Sequence, residues 1–326
     1  MSAAYIFRLV SLCLASFFIV QAALGLIARL IAPGTIRLAD RMRPRSAARL
    51  LLALRLFPAG IGLLAVCALC LPSYLLLEPQ ASAEKMGLAC LVAALLGAAV
   101  WADSMFRIFR AAGASSRCAR DWQRIGRPFR LPEGVADILV VDDEAPLLAL
   151  AGVFRSRLVA SRAVLQRLSP DQLNAALRHE TAHHASRDNF KRLLLLLAPD
   201  AFPFVRGFAS LDRAWSRFTE WAADDRAVEG DAGRSLSLAE ALVRVSRMGA
   251  SPRLSPFLST LVPDDGDLSV RVNRLLQPAR SPENSRPPMK FVAAGATLAA
   301  AGLLTFVLLQ PATLYVVHRL LEHLVR

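Results

Sequence analysis

Four stretches of this chain hold almost no polar residues. Leu9 to Ala28 is uncharged and bracketed by Arg8 and Arg29, and Leu56 to Leu77 is also uncharged. Met86 to Ala102 is shorter, but extends to Phe106 if Asp103 sits at an interface; Phe291 to Val317 follows Lys290. About 20 apolar residues cross a hydrocarbon core. The pattern therefore predicts transmembrane helices at about residues 9–28, 56–77, 86–106 and 291–312, with a short tail to 326. The first run is longer than the apolar part of a cleaved signal peptide and reads as a retained anchor.

Between the third and fourth runs the pattern changes. Residues 111–134 read as a basic linker with Gly113, Gly126, Pro128 and Pro132. Asp137 to Val141, Pro146 to Val153 and Arg157 to Ala160 read as short strands. Helical periodicity follows from Pro170, from Asp188 (a candidate cap) to Ala198, from about Phe204 to Val228, from Leu236 to Met248 and from Ser269 to Leu276. A Pro/Ser/Asp-rich loop spans 252–267 and a linker spans 281–288. The expectation is a mainly α protein of four spans, with residues 1–110 holding three of them, 111–288 forming a small α+β domain, and 289–326 holding the fourth.

Composition agrees: 326 residues, 55% hydrophobic, mean hydropathy +0.41. The net charge is +13. Arg37, Arg41, Arg43, Arg45 and Arg49 crowd the first loop, whereas the second holds only Lys85 beside Glu78 and Glu84. Basic loops stay in the cytoplasm, which predicts an external N-terminus and a cytoplasmic domain in a cell (inner) membrane. The charge then reads as topology signal and lipid attraction. No direct nucleic-acid contact is expected, since no helix-turn-helix or aromatic-basic platform appears. Of the five cysteines, Cys13, Cys67, Cys70 and Cys90 lie in apolar runs and read as small hydrophobes; Cys67-x-x-Cys70 has redox spacing without a supporting second pair.

The chemistry concentrates at Arg178-His179-Glu180-Thr181-Ala182-His183-His184. Ser169, Pro170 and Gln172 supply an N-cap, a first-turn proline and a capping box, so the H-E-x-x-H pattern falls on a helix. His179 and His183, four apart, can hold one zinc ion, with Glu180 in reach of its water. A zinc site of this type needs a third ligand, usually a carboxylate. Glu220 can close the shell, and Asp224, one turn later, can accept a hydrogen bond from the outer nitrogen of a ligating histidine.

The run from Leu168 to Asn189, followed by Glu220-x-x-x-Asp224, resembles the membrane-embedded gluzincin peptidases. It is most similar to the BlaR/MecR antirepressor type, and more distantly to the HtpX and CAAX prenyl proteases. The resemblance covers roughly residues 135–275. It implies one zinc per chain held by His179, His183 and Glu220, with Glu180 as catalytic base. It also implies a substrate-binding edge strand, matched by Leu147, Leu148, Ala149, Leu150 and Ala151, and a protein or peptide substrate, such as a transcriptional repressor, cut at the bilayer surface. No penicillin-binding sensor domain is expected; Ser82-Ala-Glu-Lys85 matches one of its motifs by spelling only. The oxyanion needs a donor beside the metal. No tyrosine lies between residues 107 and 290, which leaves His184 and Arg226 as candidates. The expected function is a zinc endopeptidase in regulatory signalling. A quality-control protease, a zinc-containing signalling scaffold and a transporter are the competing readings.

Overall fold

In a computed structural model, residues 3–77, 86–129, 138–142, 146–153, 157–202, 207–249, 258–261, 268–277 and 310–325 are described. Among the described residues, three helices are long and apolar enough to cross a membrane: α1 (Ala3–Ala39), α2 (Pro44–Leu77) and α3 (Leu88–Ile125). Large apolar side chains, among them Phe7, Leu30, Leu76, Leu88 and Leu95, remain exposed along them, as a lipid-facing bundle requires. Gly97 on α3 lets α1 approach closely: a Cβ there would stand 2.4 Å from the Leu14 carbonyl oxygen. The proposed fourth span, 291–312, lies almost wholly outside the described residues. The expected short tail is instead a helix, α10 (Pro311–Val325), whose Leu321 packs with Tyr5, Cys70 and Tyr74.

The helices outrun their apolar windows. With 37 residues, α1 is about 55 Å long, against about 30 Å of hydrocarbon. The surplus carries the second domain. Ala28, Ala32 and Ala39 of α1 and Ala47 and Leu51 of α2 pack with Phe208, Leu211, Trp215 and Phe218 of α7 (Gly207–Val228). Polar clamps join this seam. Gln21 donates to the Pro199 carbonyl at 2.7 Å, Arg29 pairs with Asp200, and Arg55 lies 3.2 Å from Asp212. Phe208 lies between the guanidiniums of Arg29 and Arg55, at 3.9 and 4.3 Å from its ring centroid.

The linker expected over 111–134 is regular structure wherever it is described, up to residue 129. Residues 111–125 continue α3, so a domain boundary at residue 110 falls inside a helix. This end of α3 has a packing role: Trp122 is buried against Val141, Leu147, Ala149, Ala151 and Val159. Those residues form one face of a five-stranded sheet, ordered β1 (Arg127–Phe129), β2 (Ile138–Val141), β4 (Arg157–Ser161), β3 (Leu148–Ala151), β5 (Leu258–Thr260). Only β2 and β4 run parallel. The opposite face, with Ile138, Leu148, Leu158 and Ala160, packs on α5 (Pro170–Ser186), α7 and α8 (Ala232–Ser246).

The expected edge strand requires correction. The Leu147–Ala151 segment is interior, because β3 pairs with β4 on one side and with β5 on the other, Leu150 opposite Ser259. Its four residues are buried on both faces, which suits its continuous apolar sequence.

Candidate metal centre

The capping box forms as the sequence predicts: Ser169 N donates to Gln172 Oε1 at 3.1 Å, and Gln172 N to Ser169 Oγ at 3.3 Å. This fixes the start of α5 and so the face it buries. His179, Glu180 and His183 are all fully buried. The helix ends at Arg187, which has left-handed backbone (φ 53°, ψ 43°). A non-glycine residue there costs roughly 1 kcal/mol or more. The turn has a clear effect: it starts α6 (Asp188–Leu197) and sends Asp188 back over the preceding helix. Asp188 does not cap with its side chain. Its carboxylate lies 2.8 Å from His183 Nδ1 and 2.7 Å from Lys191 Nζ.

The two Nε2 atoms of His179 and His183 are 3.1 Å apart; Glu220 Oε2 is 3.4 Å from the first, and Glu220 Oε1 is 3.6 Å from the second. These residues form the one group among the described residues whose ligand atoms cluster as a metal site would, all within 4.8 Å. Tetrahedral zinc with bonds of about 2.0–2.1 Å places its ligand atoms about 3.3 Å apart. The observed triangle fits that ion without rearrangement. Each outer nitrogen is also held: His179 Nδ1 is 2.9 Å from Asp224 Oδ1, and His183 Nδ1 faces Asp188. Both rings therefore turn Nε2 toward the shared centre.

Arg271, on α9 (Leu268–Leu276), completes the cluster. It is 1% exposed, donates to both oxygens of Asp224 at 2.7 and 3.0 Å, and donates to the Leu261 carbonyl at 2.9 Å. Its Nη1 also stands 3.4 Å from Glu220 Oε2, and Arg192 on α6 stands 3.8 Å from Glu220 Oε1.

The electrostatics follow from this arrangement. Burial opposes charge on His183, but Glu220 and the Asp188 hydrogen bond prevail and raise its pKa to about 10. Burial likewise opposes charge on His179, and its bonds to Asp224 and Glu220 raise it. Burial would raise Asp224, yet Arg271 and His179 hold it at about 2. Glu180 differs. Burial dominates over the neighbouring histidines and raises its pKa to about 7. Neither of its oxygens has a hydrogen-bond partner among the described residues.

The predicted residues separate into two sets. His179, Glu180, His183, Glu220 and Asp224 come together in one buried site. His184 and Arg226 do not join it: His184 lies exposed on the outer side of α5, and exposed Arg226 reaches Ser186 Oγ at 3.4 Å. Asp188, Arg192 and Arg271 were not anticipated from the sequence.

The matched residues and the zinc-sized gap between them bear on descent as well as chemistry. Residues 115–260 match the model of peptidase family M48. Peptidase family M48 implies a zinc metalloprotease, and the matched span contains the H-E-x-x-H helix, Glu220 and Asp224. The M48 match does not single out the antirepressor type. No curated protein matches the chain. The match covers under half of the chain; with three membrane-capable helices among the described residues, it suggests a membrane metalloprotease.

Proposed function

We propose that the chain is an integral-membrane zinc endopeptidase that cuts a cytoplasmic or membrane-proximal protein. The observation that carries this reading is Glu180, a fully buried carboxylate without a hydrogen-bond partner among the described residues, beside a zinc-sized triangle. An unsatisfied buried acid is costly, and a purely structural zinc site has no use for it. That weighs against the scaffold reading.

His179, His183 and Glu220 would hold the zinc. When bound, zinc lowers the pKa of its water toward 7 and polarises the scissile carbonyl. Glu180 would accept the water's proton and deliver it to the leaving amine. Asp224 and Asp188 keep each imidazole in the tautomer that presents Nε2. Arg271 fixes Asp224, and is thereby committed. Arg192, 3.8 Å from Glu220, adds a second cation beside the ligand set. A regulatory substrate, such as a repressor, rests on the resemblance of the motif run alone.

The test uses the full chain in detergent. Glu180→Gln should keep one zinc and an unfolding midpoint no lower than wild type, yet lose peptide cleavage by roughly 10²–10⁴-fold. Undiminished cleavage by this variant removes Glu180 from the chemistry. Comparing cell proteomes of the wild type and this variant would then identify the substrate.

A further inference from the structure

The bundle holds a second reactive cluster, at its opposite end from the metal centre. Cys13 lies about 15 Å along α1 from its start, and Cys70 about 10 Å before the end of α2. Their sulfurs are 3.9 Å apart, and Ser16 Oγ is 3.8 Å from Cys70 Sγ. Cys70 closes a π-helical turn, Val66–Cys70, inside α2. Such turns reset which side chains face a neighbouring helix, and they gather at functional sites. Here the turn leaves Cys67 exposed and Cys70 buried toward α1. The Cys67-x-x-Cys70 spacing thus does not pair those two cysteines across α2. It delivers Cys70 to a thiol 57 positions away.

We propose that Cys13 and Cys70 are a thiol–disulfide couple that staples α1 to α2. Closure brings the sulfurs from 3.9 Å to about 2.0 Å. Two S–H bonds break and one S–S bond forms. The two protons and two electrons pass to a two-electron oxidant dissolved in the bilayer, a quinone, which leaves as the hydroquinone. Reduction by a dithiol reverses the step. The bond restrains sliding between α1 and α2, the helices whose other ends grip the peptidase unit through Arg29 and Arg55.

The experiment uses the full chain in phospholipid vesicles with Cys67, Cys90 and Cys118 replaced by serine. It is oxidised with diamide, which takes up the two hydrogens, and in parallel with a short-chain quinone. Free thiols are then labelled with a maleimide after denaturation, and the digest is mapped by mass. The expected result is loss of both labels and one peptide pair joining Cys13 to Cys70 within a single chain, lighter by two hydrogens. Dithiothreitol should restore both labels. Adding Cys13→Ser should leave Cys70 labelled throughout. The unmodified chain is mapped alongside and should show the same pair. The proposal is overturned if both thiols stay free under both oxidants. Pairing of Cys70 with Cys67 in the unmodified chain, or with a second chain, overturns it equally.

Discussion

Replacing Arg271 with methionine should destabilise the metal-free protein and make it unusually dependent on zinc. The guanidinium is 1% exposed and satisfies both oxygens of Asp224 together with the Leu261 carbonyl. Methionine fills similar space but breaks a buried ion pair and leaves His179 as the remaining partner named for Asp224, which costs about 3–5 kcal/mol. Against a typical total stability of about 5–15 kcal/mol that is a large fraction. At about 2–4 °C per kcal/mol for a domain of this size, the unfolding midpoint should fall by about 6–20 °C. Zinc acts in the opposite direction. Arg271 Nη1 stands 3.4 Å from Glu220, so its charge opposes a dication at that carboxylate. Removing it should strengthen the zinc-linked gain beyond the about 2.7 kcal/mol expected at a hundredfold excess over Kd. Calorimetry of chelator-treated and zinc-loaded protein in detergent reads both effects. A metal-free midpoint within about 2 °C of wild type would refute the role given to Arg271. A zinc-induced rise no larger than in wild type would refute the charge argument.

Other consequences are as direct. Asp188→Ala should weaken zinc binding by about 10–100-fold, with cleavage recovering in excess zinc, as read by a chelator competition; unchanged affinity would leave the His183 contact without a role. Between its usual 6.5 and about 10, His183 keeps its proton only in the folded, metal-free chain. That contribution is full below pH 6.5 and lost as pH rises through 10, so the metal-free midpoint should fall across this window while the zinc-loaded one does not. Zinc uptake at neutral pH should accordingly release protons, seen as buffer-dependent calorimetric enthalpies; equal enthalpies in buffers of different ionisation heat would contradict it. Trp122→Ala should cost about 3–5 kcal/mol, because it uncovers one face of the sheet; a loss under 1 kcal/mol by denaturant titration would mean that the end of α3 is not part of the core.

Much of this was legible in the sequence where the signal is local. The capping box at Ser169, the i, i+4 histidines and the later E-x-x-x-D turn lie on uninterrupted helices, so spacing fixes which side chains share a face. Signals that depend on distant partners were not legible. Arg271 is 47 positions from Asp224 and sits on a helix with no pattern pointing to it. Asp188 was read as a helix cap because the left-handed turn at Arg187, which sends its carboxylate to His183, has no glycine to announce it. The linker reading failed because α3 continues past its apolar window as a basic helix, and hydropathy sees only the window. The edge-strand reading failed because β5 is a three-residue segment from a loop-like region more than 100 positions later. His184 and Arg226 neighbour the site residues in sequence, but each lies exposed on its helix.

X-ray absorption at the zinc edge, on the full chain in detergent, tests the central claim most directly. The account predicts about one zinc per chain, with two imidazole nitrogens at about 2.0–2.1 Å, carboxylate and water oxygens at about 2.0–2.2 Å, and no sulfur. His183→Ala should lose most of the metal. A sulfur shell at about 2.3 Å, or zinc retained in full by His183→Ala, would contradict the centre built from His179, His183 and Glu220.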